Sequence, residues 1–267
     1  GRGAEVLEQS GGLKRSVSES MESQSESTEV TANVASRLRL MAATYPSQVA
    51  MAAPSGRYRR GEERDYHTTS FADLELDTSS MAAGLQQMGV APGMRIAMLV
   101  PFGVDFISLV FALLKVGATL VLIDPGMGRK NLIRCLEATN PDGFVAIPLA
   151  HAVRAALRHR FPNAKFNVTV GRRLGFLPKP TLDQLVGTPS ALYRPPDLTL
   201  ESPAAIIFTT GSTGPPKGVL YTHQTFQSQI DQIVEQYKIE PGGRDLSGFP
   251  LFGLFNAVMG TTTIIPD

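Results

Sequence analysis

The chain has 267 residues, 43% hydrophobic and 18% charged, with a formal net charge of +1. That is room for one large domain or two small ones, and the near-neutral balance gives no reason to expect nucleic acid or an anionic membrane as a general partner. The one cysteine, Cys135, excludes an internal disulfide, and the start of the chain lacks the apolar core of a leader segment; both fit a cytoplasmic protein.

Residues 1–29 are rich in Ser and Glu and hold no aromatic residue, which predicts a disordered tail. Order is expected from Val34, where apolar groups recur at helical spacing up to Met41, ahead of Pro46. Residues 54–66 carry Gly, Arg and Glu and suggest an exposed loop. Ser70-Phe71-Ala72-Asp73-Leu74 predicts a strand end entering a helix that runs to about Met88, with Gly89 and Pro92-Gly93 ending it.

An alternation follows. Arg95–Val100 is an aliphatic strand, Val104–Val116 a helix and Ala118–Ile123 a second strand, together a βαβ unit of a parallel sheet. The stretch from Ile96 to Ile123 is the most apolar, but Pro101, Gly103, Asp105, Lys115 and Gly117 interrupt it, so no membrane span is expected. Asn131–Thr139 (helix), Gly143–Ile147 (strand), Ala150–Arg160 (basic helix) and Phe166–Val170 (strand) continue the pattern. On the basic helix His151, Arg154, Arg158 and His159 suggest a solvated face, and on the helix Asn131–Thr139 Cys135 suggests a packed one. No His/Cys cluster has zinc-ligand spacing. Proline-rich residues 171–203 suggest a join between sub-domains at about residue 190, giving 30–190 as a first α/β sub-domain and 191–267 as the start of a second.

The strand Ala204–Phe208 runs into Thr209-Thr210-Gly211-Ser212-Thr213-Gly214-Pro215-Pro216-Lys217-Gly218-Val219. Glycines let backbone N–H groups approach a phosphate, hydroxyls add donors and the lysine adds charge. It is not a Walker loop, because Pro216 precedes Lys217 and Gly218 follows it.

This run, continued by Tyr221-Thr222-His223, resembles the phosphate-binding signature of the adenylate-forming (AMP-binding) superfamily, of the acyl-CoA synthetase or fatty-acid ligase type. Ser70–Leu74 and Leu114–Pro125 resemble that family's first and second core motifs. The resemblance covers residues 34–267 and implies a layered α-β-α fold with mostly parallel sheets, the N-terminal part of the family's large domain. It also implies ATP-dependent activation of a small-molecule carboxylic acid as an acyl-adenylate, with Mg²⁺ on the phosphates. Thr209, Thr210, Gly211, Ser212, Thr213, Gly214 and Lys217 would cradle the β- and γ-phosphates, and His223 would lie near the carboxylate.

Phe249-Pro250-Leu251-Phe252-Gly253-Leu254-Phe255-Asn256 resembles the segment lining the acyl pocket, through Phe249, Phe252, Gly253, Phe255 and Asn256. Gly253 stands where many fatty-acyl members carry His, and the pattern is more similar to β-lactone synthetases of olefin biosynthesis, which close a β-hydroxy acyl-adenylate to a lactone in place of transfer to coenzyme A. The resemblance also implies an adenine motif, a ribose-binding Asp and a lid domain with a catalytic lysine, none of which falls within these residues. The 267 residues alone are therefore expected to be incomplete and inactive. The alternative is a non-catalytic nucleotide-binding or interaction protein, and a homodimer stays open.

Overall fold

The computed structural model describes residues 32–56, 64–172, 175, 177–209, 216–246 and 253–266. All lie in one unit, Ala32–Asp267; the tail expected over 1–29 falls outside the described residues. In chain order the main elements are α1 (Ser36–Thr44), β1 (Val49–Pro54), β2 (Tyr66–Ser70), α2 (Phe71–Gln87), β3 (Arg95–Leu99), α3 (Val104–Lys115), β4 (Thr119–Ile123) and α4 (Arg129–Thr139). They continue with β5 (Gly143–Ala146), α5 (Pro148–Ala156), β6 (Phe166–Thr169), α6 (Leu182–Val186), β7 (Pro203–Thr209), β8 (Lys217–Thr222), α7 (His223–Tyr237), β9 (Arg244–Asp245) and β10 (Thr262–Ile264).

Two sheets form. The larger has the order β6-β5-β3-β4-β7-β8, parallel except for the last strand, and the smaller has the order β2-β1-β10-β9. This is a mixed α/β fold with mostly parallel strands, as expected. The parallel strands need crossovers, and the crossovers cover both faces of the sheet. Helix α3 is buried all round from Phe106 to Lys115, as a helix apolar on every side must be. It packs with α2 in a core that reaches from Met51 of β1 to Phe226 of α7. A second apolar cluster lies under α4 and joins Cys135 and Leu136 to Val121, Phe144, Phe161 and Phe208.

Local chemistry sets the helix ends. Ser70 caps α2: its Oγ accepts the Asp73 N–H at 3.1 Å while the Asp73 carboxylate accepts the Ser70 N–H at 3.4 Å. At the other end of the βαβ unit Gly117 (φ +73°) makes the left-handed turn out of α3. The last carbonyls of α3 have no partner within the helix. Asn33 Nδ2 donates to Leu114 O at 2.7 Å, and the Tyr193 hydroxyl donates to Lys115 O at 2.9 Å.

Lys115 interrupts the apolar stretch in sequence, yet it is buried. Its Nζ lies 2.8 Å from Glu75 Oε1, donates to Ser79 Oγ at 2.7 Å and sits 5.9 Å from the centre of the Tyr193 ring. Burial lowers its pKa, with Glu75 pulling the other way, and burial also raises that of Tyr193.

The larger sheet continues past residue 190, where a join between sub-domains is expected: β4 pairs in parallel with β7, from Leu120–Ala205 to Ile123–Phe208. The proline-rich connection is itself packed. Leu182 and Leu185 are buried, and the Gln86 side chain donates to Arg194 O at 2.6 Å while accepting the Arg194 N–H at 3.0 Å. The basic helix differs from expectation at two positions. His151 is fully buried, its Nε2 donating to Val168 O at 2.9 Å, and Arg154 is half-buried with its guanidinium 6.0 Å from the Phe144 ring centre. These two face inward, where the Val168 carbonyl and the Phe144 ring meet their polar groups, whereas Arg158 and His159 are exposed, as expected.

Removing one member of a buried ion pair leaves the other charge without compensation. Glu75→Ala is therefore expected to destabilise the protein by about 3 kcal/mol. Urea unfolding checks this; a loss below about 1 kcal/mol, the level of an exposed pair, would contradict the role given to Glu75.

Candidate nucleotide-binding site

The candidate phosphate loop is the turn of the β7–β8 hairpin. Thr209 pairs with Lys217 and Phe208 with Gly218, so both ends of the loop are fixed by the sheet. Strand β7 runs parallel to β4, which places its final residues at the carboxyl edge of the parallel strands, the edge where open α/β sheets bind ligands. Ile123, the last residue of β4, pairs with Phe208, so Asp124 follows at the same edge. Its exposed carboxylate accepts the Gly126 N–H at 2.8 Å.

The hairpin is anchored from below. Phe208 packs into the cluster under α4 with Ile123, Met127 and Phe144. A side chain at Gly218 would come within 3.0 Å of the Phe208 ring and 3.1 Å of Ile206, so glycine is what lets these residues lie across β8. Lys217 is exposed at the head of β8. Thr210, Gly211, Ser212, Thr213 and Gly214 lie outside the described residues, as do Phe249 and Phe252; of Thr209 only its place in β7 is described.

Thr222 ends β8 and caps α7, its Oγ1 accepting the Thr225 N–H at 3.2 Å. His223 is the first residue of the helix. The structure gives it a partner far off in sequence: its Nδ1 accepts the Val34 N–H at 3.2 Å. The ring is fully buried, and its Nε2 meets no hydrogen-bond partner among the described residues. Gln227, one turn on, donates to Ala32 O at 2.9 Å.

Of the expected acyl-pocket residues, Gly253, Phe255 and Asn256 are described and all are buried. Asn256 donates to Asp245 Oδ2 at 2.8 Å. Phe255 meets Phe226 with ring centres 4.9 Å apart, and Phe226 stacks on Tyr221 of β8 at 5.3 Å. A continuous aromatic contact therefore joins the hairpin to the segment beginning at Gly253. Phe226 and Asp245 were not singled out from sequence, although helical spacing of Phe226, Ile230, Ile233 and Val234 was there to read.

Residues 38–265 match the family described as AMP-binding enzyme. The chain belongs to the AMP-binding enzyme family. It is 40% identical over 238 residues to an olefin beta-lactone synthetase of Stenotrophomonas maltophilia, covering 88% of this chain and 43% of that protein. A second olefin beta-lactone synthetase, from Xanthomonas campestris, is 39% identical over 239 residues and is covered to 42%. The chain thus spans less than half the length of these relatives. Among solved structures it is similar in fold to a long-chain-fatty-acid-CoA ligase of Archaeoglobus fulgidus (TM-score 0.74, 19% identity, 88% of this chain and 47% of that one). ATP-bound MatB of Rhodopseudomonas palustris is similar too (TM-score 0.72, 20% identity, 89% and 45%). In this AMP-binding enzyme the matched region takes in both sheets and the whole hairpin.

Burial pushes the His223 imidazole from its ordinary 6.5 down to about 4, and that of His151 in the same direction. Above pH 6.5 the ring is neutral folded or unfolded. As pH falls below 6.5 the unfolded chain takes up the proton first, so stability drops until about pH 4, in total on the order of 3 kcal/mol for His223. Urea unfolding across this window should show the decline, and His223→Asn should flatten it. A variant as steep as the parent would refute the assignment.

Proposed function

We propose that the protein uses ATP to activate a fatty or β-hydroxy fatty acid as its acyl-adenylate. The observation that carries this reading is the hairpin, which suspends a glycine- and hydroxyl-rich loop between Thr209 and Lys217 at the carboxyl edge of the sheet. Family membership supports the use of ATP. Similarity to proteins named olefin beta-lactone synthetase favours the β-hydroxy acid and lactone closure.

In this reading the acid's carboxylate oxygen attacks the α-phosphorus, and the bond to pyrophosphate breaks. Backbone N–H and hydroxyl groups of Thr209, Thr210, Gly211, Ser212, Thr213 and Gly214 donate to the β- and γ-phosphates, and the Lys217 ammonium offsets charge on the leaving group. Phe249, Phe252, Gly253, Phe255 and Asn256 flank the acyl chain. His223 stays neutral and holds α7 to the Val34 backbone, at the end of the hairpin away from the loop. The substrate's β-hydroxyl then attacks the acyl carbonyl, the bond to AMP breaks, and the hydroxyl proton passes to a base. Transfer to the thiol of coenzyme A is the alternative second step. Among the described residues no set of three His, Cys, Asp or Glu side chains could hold a metal ion, so no residue is assigned to Mg²⁺ and no step runs through it.

Pyrophosphate exchange with a panel of acids, measured on the whole protein, tests the first step. Exchange is expected with long-chain β-hydroxy acids, together with AMP and a product lighter than the acid by one water; no exchange with any fatty or β-hydroxy acid would end this reading. Lys217→Ala is expected to lower kcat/KM for ATP by about tenfold or more, roughly 1.4 kcal/mol of transition-state stabilisation. Unchanged ATP kinetics would remove Lys217 from the site.

A further inference from the structure

The near-neutral total conceals a strong asymmetry. Residues 125–172 carry eight Lys and Arg against two acids, Glu137 and Asp142, a net +6 in a chain of net +1, so the remaining residues sum to −5. Both acids are engaged. Glu137 pairs with Arg160 at 3.1 Å, and the Asp142 carboxylate accepts the Arg95 N–H at 2.8 Å. Arg129, Lys130, Arg134, Arg158, Lys165 and Arg172 are exposed.

Helix α5 stands in this sector with its polarity inverted. His151 points into the protein, while Leu149 is 72% and Val153 48% exposed, one helical turn apart. Isolated exposed aliphatics are common, but two on one face of a nine-residue helix, within a cationic sector, form a pattern. Helices α4 and α5 cover the same side of the larger sheet, since Leu136 of α4 and Leu157, just after α5, pack into one cluster with Phe144. Both helices start at the carboxyl edge. Leu149, in the first turn of α5, therefore lies at the same edge as Arg129 and Lys130 in the first turn of α4, and Arg172 follows β6 at that edge.

We propose that α5 and the cations around it form a docking surface for an anionic lipid bilayer. Leu149 and Val153 enter the boundary between headgroups and acyl chains, and the flanking guanidinium and ammonium groups meet lipid phosphates. Charge complementarity selects this occupant. The cations are spread over α4, the turn after α5 and the segments on either side of β6, and the aliphatics protrude where a groove would have lined them inward. A fluid anionic surface matches such a layout without requiring a shaped partner. Attachment is to the surface, since no helix among the described residues is long and apolar enough to cross a membrane. Leu149, Arg129, Lys130 and Arg172 lie at the same sheet edge as the hairpin loop, and Arg158 and Lys165 toward the other edge; the surface stands independently of acyl activation, and its failure would leave that reading intact.

The test is co-sedimentation of the full chain with vesicles of phosphatidylcholine alone and of phosphatidylcholine with one-third phosphatidylglycerol, at low and high salt. Binding is expected with the anionic vesicles only and should weaken as salt rises. Leu149→Ser/Val153→Ser and, separately, Arg129→Glu/Lys130→Glu should each lower partitioning roughly tenfold while leaving the unfolding midpoint unchanged, because all four side chains are exposed. No binding, equal binding to neutral vesicles, or variants that bind like the parent would overturn the proposal. Binding to soluble polyglutamate without binding to vesicles would also overturn it, and would assign the face to an acidic protein.

Discussion

The pairing of Leu120–Ile123 with Ala205–Phe208 is the contact on which the other arrangements rest. It joins strands separated by a long connection and completes a parallel sheet whose two faces must both be covered. Helix α2 and the crossover helix α3 protect one face, and the crossover helices α4 and α5 protect the other. Because the pairing is parallel, the end of β7 arrives at the same edge as the end of β4, and the loop that follows can open only there. Phe208 is held at that point by Ile123, Met127 and Phe144, so the root of the loop is part of a packed core.

A second constraint is the need to satisfy polar groups where several elements converge. The C-terminal carbonyls of α3 accept from Asn33 and Tyr193, and the ammonium of Lys115 beside them is matched by Glu75 and Ser79. The first described residues are tied down again by His223 and Gln227. The segment before α1, the end of α3 and the start of α7 are thus connected by donors and acceptors that water does not reach freely. An unmade bond in such a place costs far more than a made one contributes.

Much of the larger sheet was legible because its strands are short apolar runs bounded by glycine and proline, with a helix-length segment between them. Strand β1 was not legible. Val49–Pro54 is rich in alanine and has little strand preference of its own, and it is held by β2 on one side and by β10, from the far end of the chain, on the other. Strand β8 reads as the tail of the loop because Lys217 to Leu220 are exposed, and only pairing with β7 makes it a strand. His151 shows a different gap. Periodicity locates two stripes on α5 but does not say which one faces inward when a carbonyl acceptor and an aromatic ring are waiting for the polar stripe. In the candidate site the loop and its lysine were visible in composition, whereas the support given by Gly218, Phe226 and Val34 depends on contacts between distant residues.

Tyr221, Phe226 and Phe255 form an unbroken row of rings from the hairpin to the segment that begins at Gly253. The middle ring is shared, so it has two neighbours to satisfy at once. Over evolutionary time Phe226 is not free to drift alone: a smaller ring there would open a gap toward both β8 and Phe255, and a larger one would press on both. The three positions should accordingly change together among relatives, with Phe226 the slowest, even though it need not touch a substrate.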